Sequence, residues 1–167
     1  VTEFDDSGQV FGHPEQVERC AEGGVHVLVE KPMASSIAGC RRMIKAARDA
    51  NVTLMIAQKK RFSGPYAFLK SKFGNGFGQP LWASVKFALG RVPKPWFWEE
   101  ENGGGPVLEN AIHMWDLLRF LMGEVESVFA YGGNLFMPDF GNQIDSAAAT
   151  LRFKSGGIAT VACGYGS

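Results

Sequence analysis

The sequence has 167 residues, 46% of them hydrophobic and 20% charged, with 17 basic residues against 17 acidic ones. That balance leaves no basic field to hold nucleic acid. No apolar run approaches the ~18 residues of a membrane span, and the apolar content is enough to bury a core.

In chain order, His13-Pro14 opens a helical pattern that runs through Cys20 and Ala21 and stops at Gly23-Gly24. Residues 25–29 are Val-His-Val-Leu-Val, a β-branched run that reads as a buried strand. The run ends in Glu30-Lys31-Pro32. Proline cannot donate to a central ladder, so the strand stops there. Glu30 and Lys31 then lie at the carboxyl end of a strand, where open α/β sheets bind ligands. On these residues alone, a chemical role for Lys31 and a solvated charge pair are equally weighted. Ser35-Ser36 predicts a cap for a helix over residues 37–50, with Met43, Ile44 and Ala47 on one side. Residues 52–57 predict a second strand and 63–73 a short helix closed by the glycines near Gly76. Strand and helix alternate here as in the second half of a doubly wound parallel sheet.

Near Phe77 the period changes, which predicts a boundary between residues 1–77 and 78–167. Residues 81–89 alternate like a half-exposed strand. Residues 91–102 form an irregular loop carrying Trp96, Phe97 and Trp98. Gly103-Gly104-Gly105 then opens an amphipathic helix predicted over 107–122 and ended by Gly123. Glu109 and His113 are four apart and would share one helical face, while Asp116 and Arg119 would pair along it. Three strand-like runs follow, at 125–131, 144–153 and 158–163, with Ser155-Gly156-Gly157 joining the last two as a hairpin. The expected fold class is α/β followed by α+β: half of a doubly wound Rossmann-like domain, then a mostly antiparallel sheet with one long helix.

Three segments occur in order: Glu30-Lys31-Pro32; Arg61-Phe62-Ser63-Gly64-Pro65-Tyr66; and the glycine turn followed by Glu109, His113 and Asp116-Leu117-Leu118-Arg119. Together they resemble the glucose-fructose oxidoreductase / inositol dehydrogenase / rhizopine catabolism (Gfo/Idh/MocA) family over nearly the whole chain. The resemblance implies an oxidoreductase moving a hydride between NAD or NADP and a sugar, cyclitol or related polyol. It implies Lys31 as acid/base beside the nicotinamide, and His113 as substrate ligand and proton-relay partner. Oxidising an alcohol needs a place for the hydroxyl proton, and a lysine serves if burial or a nearby cation lowers its pKa. Glu109 stands where many members have aspartate, which keeps the charge and lengthens the reach.

On the cofactor side the expected residues are Glu30, Lys31, Pro32, His13 and Gln58; His13 either touches that region or caps its own helix. On the substrate side they are Asn110, Arg61 and Trp98. Asn110 either donates to a sugar hydroxyl or caps a backbone group. The loop aromatics either stack on a sugar ring or anchor the loop to the sheet. The glycine turn either cradles an anion or brings backbone close to substrate. The family commonly pairs subunits through its antiparallel sheet, so a homo-oligomer is expected.

The dinucleotide fingerprint G-x-G-x-x-G is absent; Gly74-Asn75-Gly76-Phe77-Gly78 leads into Pro80 and a strand instead of a helix. The chain is therefore expected to be a piece lacking roughly 60–90 residues of the first half-domain at ~30 per βαβ unit, with its carboxyl end incomplete as well. Alone it is expected to be inactive and to bind dinucleotide poorly. Cys20, Cys40 and Cys163 show no pairing pattern and read as buried free thiols of a cytoplasmic protein. No metal-ligand spacing and no nucleophile elbow are present, so a metal centre and a serine hydrolase are not expected. Two further readings stay open: a non-redox binding or dimerisation protein on this scaffold, and an NAD-dependent glycosidase. Intact Lys31 and His113 argue against the first.

Overall fold

Two sheets organise the chain. The computed structural model of the protein describes residues 2–3, 10–90, 92, 95–99 and 103–165. Residues 91, 93, 94 and 100–102 of the expected irregular loop, and the terminal pair 166–167, lie outside the described residues.

The first sheet is parallel, in the order β1 (Thr2–Glu3), β2 (Val27–Val29) and β3 (Leu54–Ile56). Val27, Val29, Leu54 and Ile56 form the face of its short strands that the helices cover, while Met55 points to the other side and is exposed. Helix α1 (His13–Glu22) and helix α2 (Ile37–Asp49) pack on each other and on the sheet. Val17, Val27, Val29 and Met43 close this core. Each fully buried side chain of this kind contributes about 1.5–3 kcal/mol. Ser36 caps α2 as expected, its hydroxyl accepting the Gly39 N–H at 3.1 Å. Met43 and Ala47 face the core, but Ile44 is 46% exposed, so the predicted apolar side is narrower by one residue. A short helix α3 (Gly64–Lys72) follows.

The second sheet is mixed, in the order β4–β7–β6–β5, with β4 Trp82–Leu89, β5 Val125–Gly133, β6 Ser146–Phe153 and β7 Ile158–Tyr165. β5–β6 and β6–β7 are antiparallel, and β4 joins β7 in parallel. Helix α4 (Ile112–Met122) lays Leu118 and Met122 against Leu151, Phe153, Ala159 and Val161 on one face. The opposite face has no covering element among the described residues, and there Trp82 is 66% and Tyr131 76% exposed.

The helix expected as one piece over 107–122 is broken. Pro106–Asn110 is a π-helical turn, and Ala111 separates it from α4. The expected Asp116–Arg119 pair does not form. Asp116 reaches back to Arg61, and Arg119 turns to Glu124 at 2.8 Å. A partner from another element holds Asp116 against two charge-assisted bonds, which an exposed neighbour on the same helix would not match. The thiols are free, with Cys163 buried but Cys20 and Cys40 only half-buried. No helix among the described residues is long and apolar enough to cross a membrane.

Candidate active site

The carboxyl ends of β2 and β3 lie side by side, because the Ala57 N–H donates to the Val29 carbonyl at 2.9 Å. This places Glu30-Lys31-Pro32 next to Gln58-Lys59-Lys60. The Glu-Lys-Pro turn is pinned from two directions. Glu30 Oε2 accepts the Lys31 backbone N–H at 3.2 Å, and the buried His13 donates from Nδ1 to the Pro32 carbonyl at 3.0 Å. His13 thus supports the Glu-Lys-Pro turn from behind. The Lys31–Pro32 peptide is cis, as tight turns at functional strand ends sometimes are.

Lys31 crosses from the first sheet to the second half of the chain. Its Nζ donates to the Glu109 backbone carbonyl at 2.8 Å and stands 3.6 Å from Glu109 Oε2. The π turn makes this contact possible. One extra residue in the turn rotates the Glu109 carbonyl out of the ordinary helical ladder, freeing it for a donor outside the helix. Glu109 itself is 5% exposed, so its carboxylate is held where Lys31 compensates it.

His113 lies on the first turn of α4, and its Nδ1 is buried without a hydrogen-bond partner. Burial first, then the positive charges of Lys31, Lys59 and Lys60, push its pKa down to about 4. The imidazole is therefore neutral at physiological pH, and one ring nitrogen keeps a free lone pair. Lys31 and His113 thus converge on one region at the carboxyl edge of the parallel sheet.

Asn110 ends the π turn and donates from Nδ2 to the Tyr165 hydroxyl. Burial raises the Tyr165 pKa to about 12, opposed by the Asn110 bond and aided by the Glu109 charge, so the phenol keeps its proton. Tyr165 escaped the sequence reading, which ended the last strand at 163. Extending the inside–outside alternation of 159, 161 and 163 by one step would have placed it inside. Gln58 is half-buried, and its Oε1 has no partner.

Arg61 is committed elsewhere. It grips Asp116 through both Nε, at 2.8 Å, and Nη2, and its guanidinium lies 5.5 Å from the Phe120 ring centre. It ties the turn after β3 to α4. Trp98 is also corrected. It is 5% exposed and donates from Nε1 to the Val92 carbonyl at 3.0 Å. Its ring sits 5.3 Å from both Phe97 and Tyr165, so the aromatics anchor the loop to the sheet. The glycine turn serves the same anchor. A Cβ on Gly103 would stand 2.6 Å from the Phe97 carbonyl, and Gly105 has φ +58°. The close approach is to the chain's own aromatic turn. Asp145, also missed, is fully buried and accepts the Leu135, Phe136 and Met137 N–H groups at 2.7–2.9 Å, fixing the loop between β5 and β6.

Known proteins share this sequence pattern and fold. The family described as "GFO/IDH/MocA C-terminal domain" matches residues 74–167, and "Oxidoreductase family, NAD-binding Rossmann fold" matches residues 7–58. A myo-inositol 2-dehydrogenase from Thermotoga maritima is 35% identical over 153 residues, covering 89% of this chain and 45% of that protein. A 1,5-anhydro-D-fructose reductase from Ensifer adhaerens is 33% identical over 153 residues, covering 88% of this chain and 45% of that protein. Among solved structures, the WlbA dehydrogenase from Bordetella pertussis, in complex with NADH and UDP-GlcNAcA, superposes with a TM-score of 0.85. It is 30% identical, covering 93% of this chain and 49% of that one. The chain spans about half the length of the relatives it matches.

Proposed function

We propose, from the premise that this chain belongs to the Gfo/Idh/MocA oxidoreductase family, that the whole protein moves a hydride between NAD or NADP and an alcohol carbon of a sugar, cyclitol or related polyol. The observation that carries this reading is the 2.8 Å bond from Lys31 Nζ to the Glu109 carbonyl. It joins the ligand-binding edge of a parallel sheet to the turn that presents His113. Residues 1–77 act as the cofactor half and 78–167 as the substrate half, meeting at this bond.

The residues at the strand ends fit a dinucleotide's nicotinamide end. Gln58 Oε1 is an acceptor at the end of β3 with no partner of its own, suited to a bound amide or hydroxyl. Glu30, Lys31, Pro32 and Gln58 would hold that end, with His13 acting through the Pro32 carbonyl. A bound nicotinamide supplies the hydride acceptor. In the oxidation direction, the carbon loses its hydrogen with the electron pair, and the hydroxyl proton passes to the Lys31 amine, which must first have given up its own ammonium proton, as the carbonyl forms. Glu109 steadies Lys31 once it is an ammonium. His113, uncharged, hydrogen-bonds the reacting oxygen and holds it against Lys31. Asn110 and the Tyr165 hydroxyl offer polar groups to a substrate hydroxyl.

The uncovered outer face of the mixed sheet supports a homo-oligomer. Phe129 and Tyr131 stack edge to face 5.2 Å apart in water there, and an apolar hollow of about 440 Å³ opens beside them. The free thiols fit a reducing cytoplasm.

The test uses the full-length protein with NAD⁺ or NADP⁺ and a panel of cyclitols and sugars, following dinucleotide reduction by absorbance. Reduction that Lys31→Met abolishes is the expected result. No reduction with any polyol, or undiminished reduction in Lys31→Met, contradicts the assignment.

A further inference from the structure

Asp145 carries a charge where burial opposes one. It is fully buried, just before β6, and among the described residues no lysine, arginine or histidine stands within 4.0 Å of its carboxylate. Burial works against ionisation, yet the Leu135, Met137 and Phe136 N–H groups outweigh it and hold the carboxyl below its usual range. Taking such an ion out of water is costly, and a well-packed apolar residue of similar volume often stabilises a fold as well or better. Stability is therefore a weak reason for this carboxylate, and its contacts point to another.

Asp145 joins several segments at one point. Its side chain holds residues 135–137 through the three N–H groups, at 2.7–2.9 Å. Its backbone N–H donates to the Gly133 carbonyl at 3.1 Å, and its own carbonyl accepts the Tyr165 N–H at 3.0 Å. The loop fixed in this way presses on the aromatic turn and the glycine turn. Met137 packs against Phe97, Trp98 and Tyr165, and Gly141 lies so close to the Trp98 carbonyl that a Cβ there would overlap it. A Cβ on Gly105 would stand 3.0 Å from Gln143 Cβ. Tyr165 is buried between these layers, its ring 5.8 Å from Phe97 and 5.3 Å from Trp98. Its hydroxyl accepts the Asn110 amide N–H, next to Glu109 in the π turn. A continuous path therefore runs from Asp145 through Tyr165 and Asn110 to Glu109, whose carbonyl receives Lys31.

We propose that Asp145 is a positioning residue for the reaction: through Tyr165 and Asn110 it fixes the π turn, and with it the Glu109 carbonyl against which Lys31 is set. This rests on the reading of Lys31 as the acid/base and adds the group that keeps it in place. A π turn holds one residue more than the ordinary helical ladder needs, and such turns are uncommon without an outside support. The Tyr165 hydroxyl on Asn110 is that support, and Asp145 sets where Tyr165 lies. Misplacing a reacting group by about 1 Å costs about 10²-fold in turnover. A residue that touches neither substrate nor Lys31 thus still governs the rate.

Asp145→Asn keeps the side-chain volume and one acceptor oxygen but sets an amide N–H against a backbone N–H. Hydrogen exchange of the full-length protein, read by mass spectrometry well below its melting temperature, compares the variant with the parent. The expected result is exchange faster by about tenfold in residues 107–112 as well as in 135–137. A change confined to 135–137 makes Asp145 a loop anchor alone and overturns the proposal. Kinetics use the polyol of the panel that reduces the dinucleotide fastest. There kcat should fall about tenfold, with the KM of the dinucleotide within about twofold of the parent. Adding Tyr165→Phe to Asp145→Asn should cost less than Tyr165→Phe costs alone, because both act through one contact. An unchanged kcat, or losses that multiply in full, overturns the proposal. Should Asp145→Asn not fold, Tyr165→Phe alone takes its place. Exchange must then quicken in 107–112, and no change there contradicts the account. If no polyol is oxidised, the oxidoreductase reading fails by itself, and the exchange result still decides whether Asp145 holds the π turn.

Discussion

The parallel sheet and the mixed sheet present different chemistry. The strands β2 and β3 are three residues each, with one face under α1 and α2, and the polar groups Glu30, Lys31, Gln58, Lys59 and Lys60 follow their carboxyl ends. In the mixed sheet, α4 covers one broad face and leaves the other bare, with Trp82, Phe129 and Tyr131 exposed on it. An edge of converging polar groups suits a small ligand. A broad apolar face suits another protein surface. The comparison predicts that damage to the edge changes turnover while leaving assembly alone, and that damage to the face does the reverse.

The largest expected effect is at the edge. Lys31→Met should lower kcat/KM by about 10²–10⁴-fold, the range for loss of a positioned acid/base group. Steady-state kinetics of the full-length protein measure it, and a change under tenfold would reassign the proton. On the face, Tyr131→Asp should turn an oligomer into monomers at micromolar concentration by light scattering, because a charge would be buried against an apolar partner. An unaltered mass would remove this face from the interface.

The clamp between the halves comes next. Arg61→Leu leaves the Asp116 carboxylate nearly buried and unpaired, at about 1–2 kcal/mol, discounted for the half-exposed guanidinium. For a chain of this size that lowers Tm by about 2–4 °C per kcal/mol. A thermal melt equal to the parent would make the pair ornamental.

The last effect is in pH and shows only below neutrality. His113 in the folded protein binds a proton only near pH 4, against 6.5 for the free side chain. Between these values the unfolded chain binds more protons, so stability falls as pH drops from 6.5 to about 4 and levels off below. His113→Gln should flatten this slope in urea melts taken across the window. It should also leave the position of the activity–pH limb unchanged, since the imidazole is already neutral when the enzyme works. A limb displaced by the variant would mean that His113 titrates during turnover.

Local signals in the sequence read well. Ser36 capping, the Gly23-Gly24 stop and the strand end at Pro32 each depend on a few adjacent residues, and each is where the pattern puts it. The pairing of Lys31 with Glu109 was legible only through three motifs taken together, since 78 residues separate them. Three features were not legible. The π turn adds one residue without disturbing the apolar period enough to reveal itself. Arg61 looked like a substrate ligand because nothing local shows that Asp116, 55 residues on, takes both its arms. The aromatic loop left stacking on a sugar and anchoring to the sheet both open, because its burial depends on Tyr165, which is brought there by a strand formed much later in the chain.

The central claim is that Lys31 and His113 flank one reacting oxygen where the two halves meet. A crystal structure of the full-length protein with dinucleotide and a bound sugar or polyol tests it most directly. The account predicts a substrate hydroxyl within about 2.6–3.2 Å of both Lys31 Nζ and a His113 ring nitrogen. A sugar seated in the hollow on the outer face of the mixed sheet, with Lys31 still bound only to the Glu109 carbonyl, would contradict it.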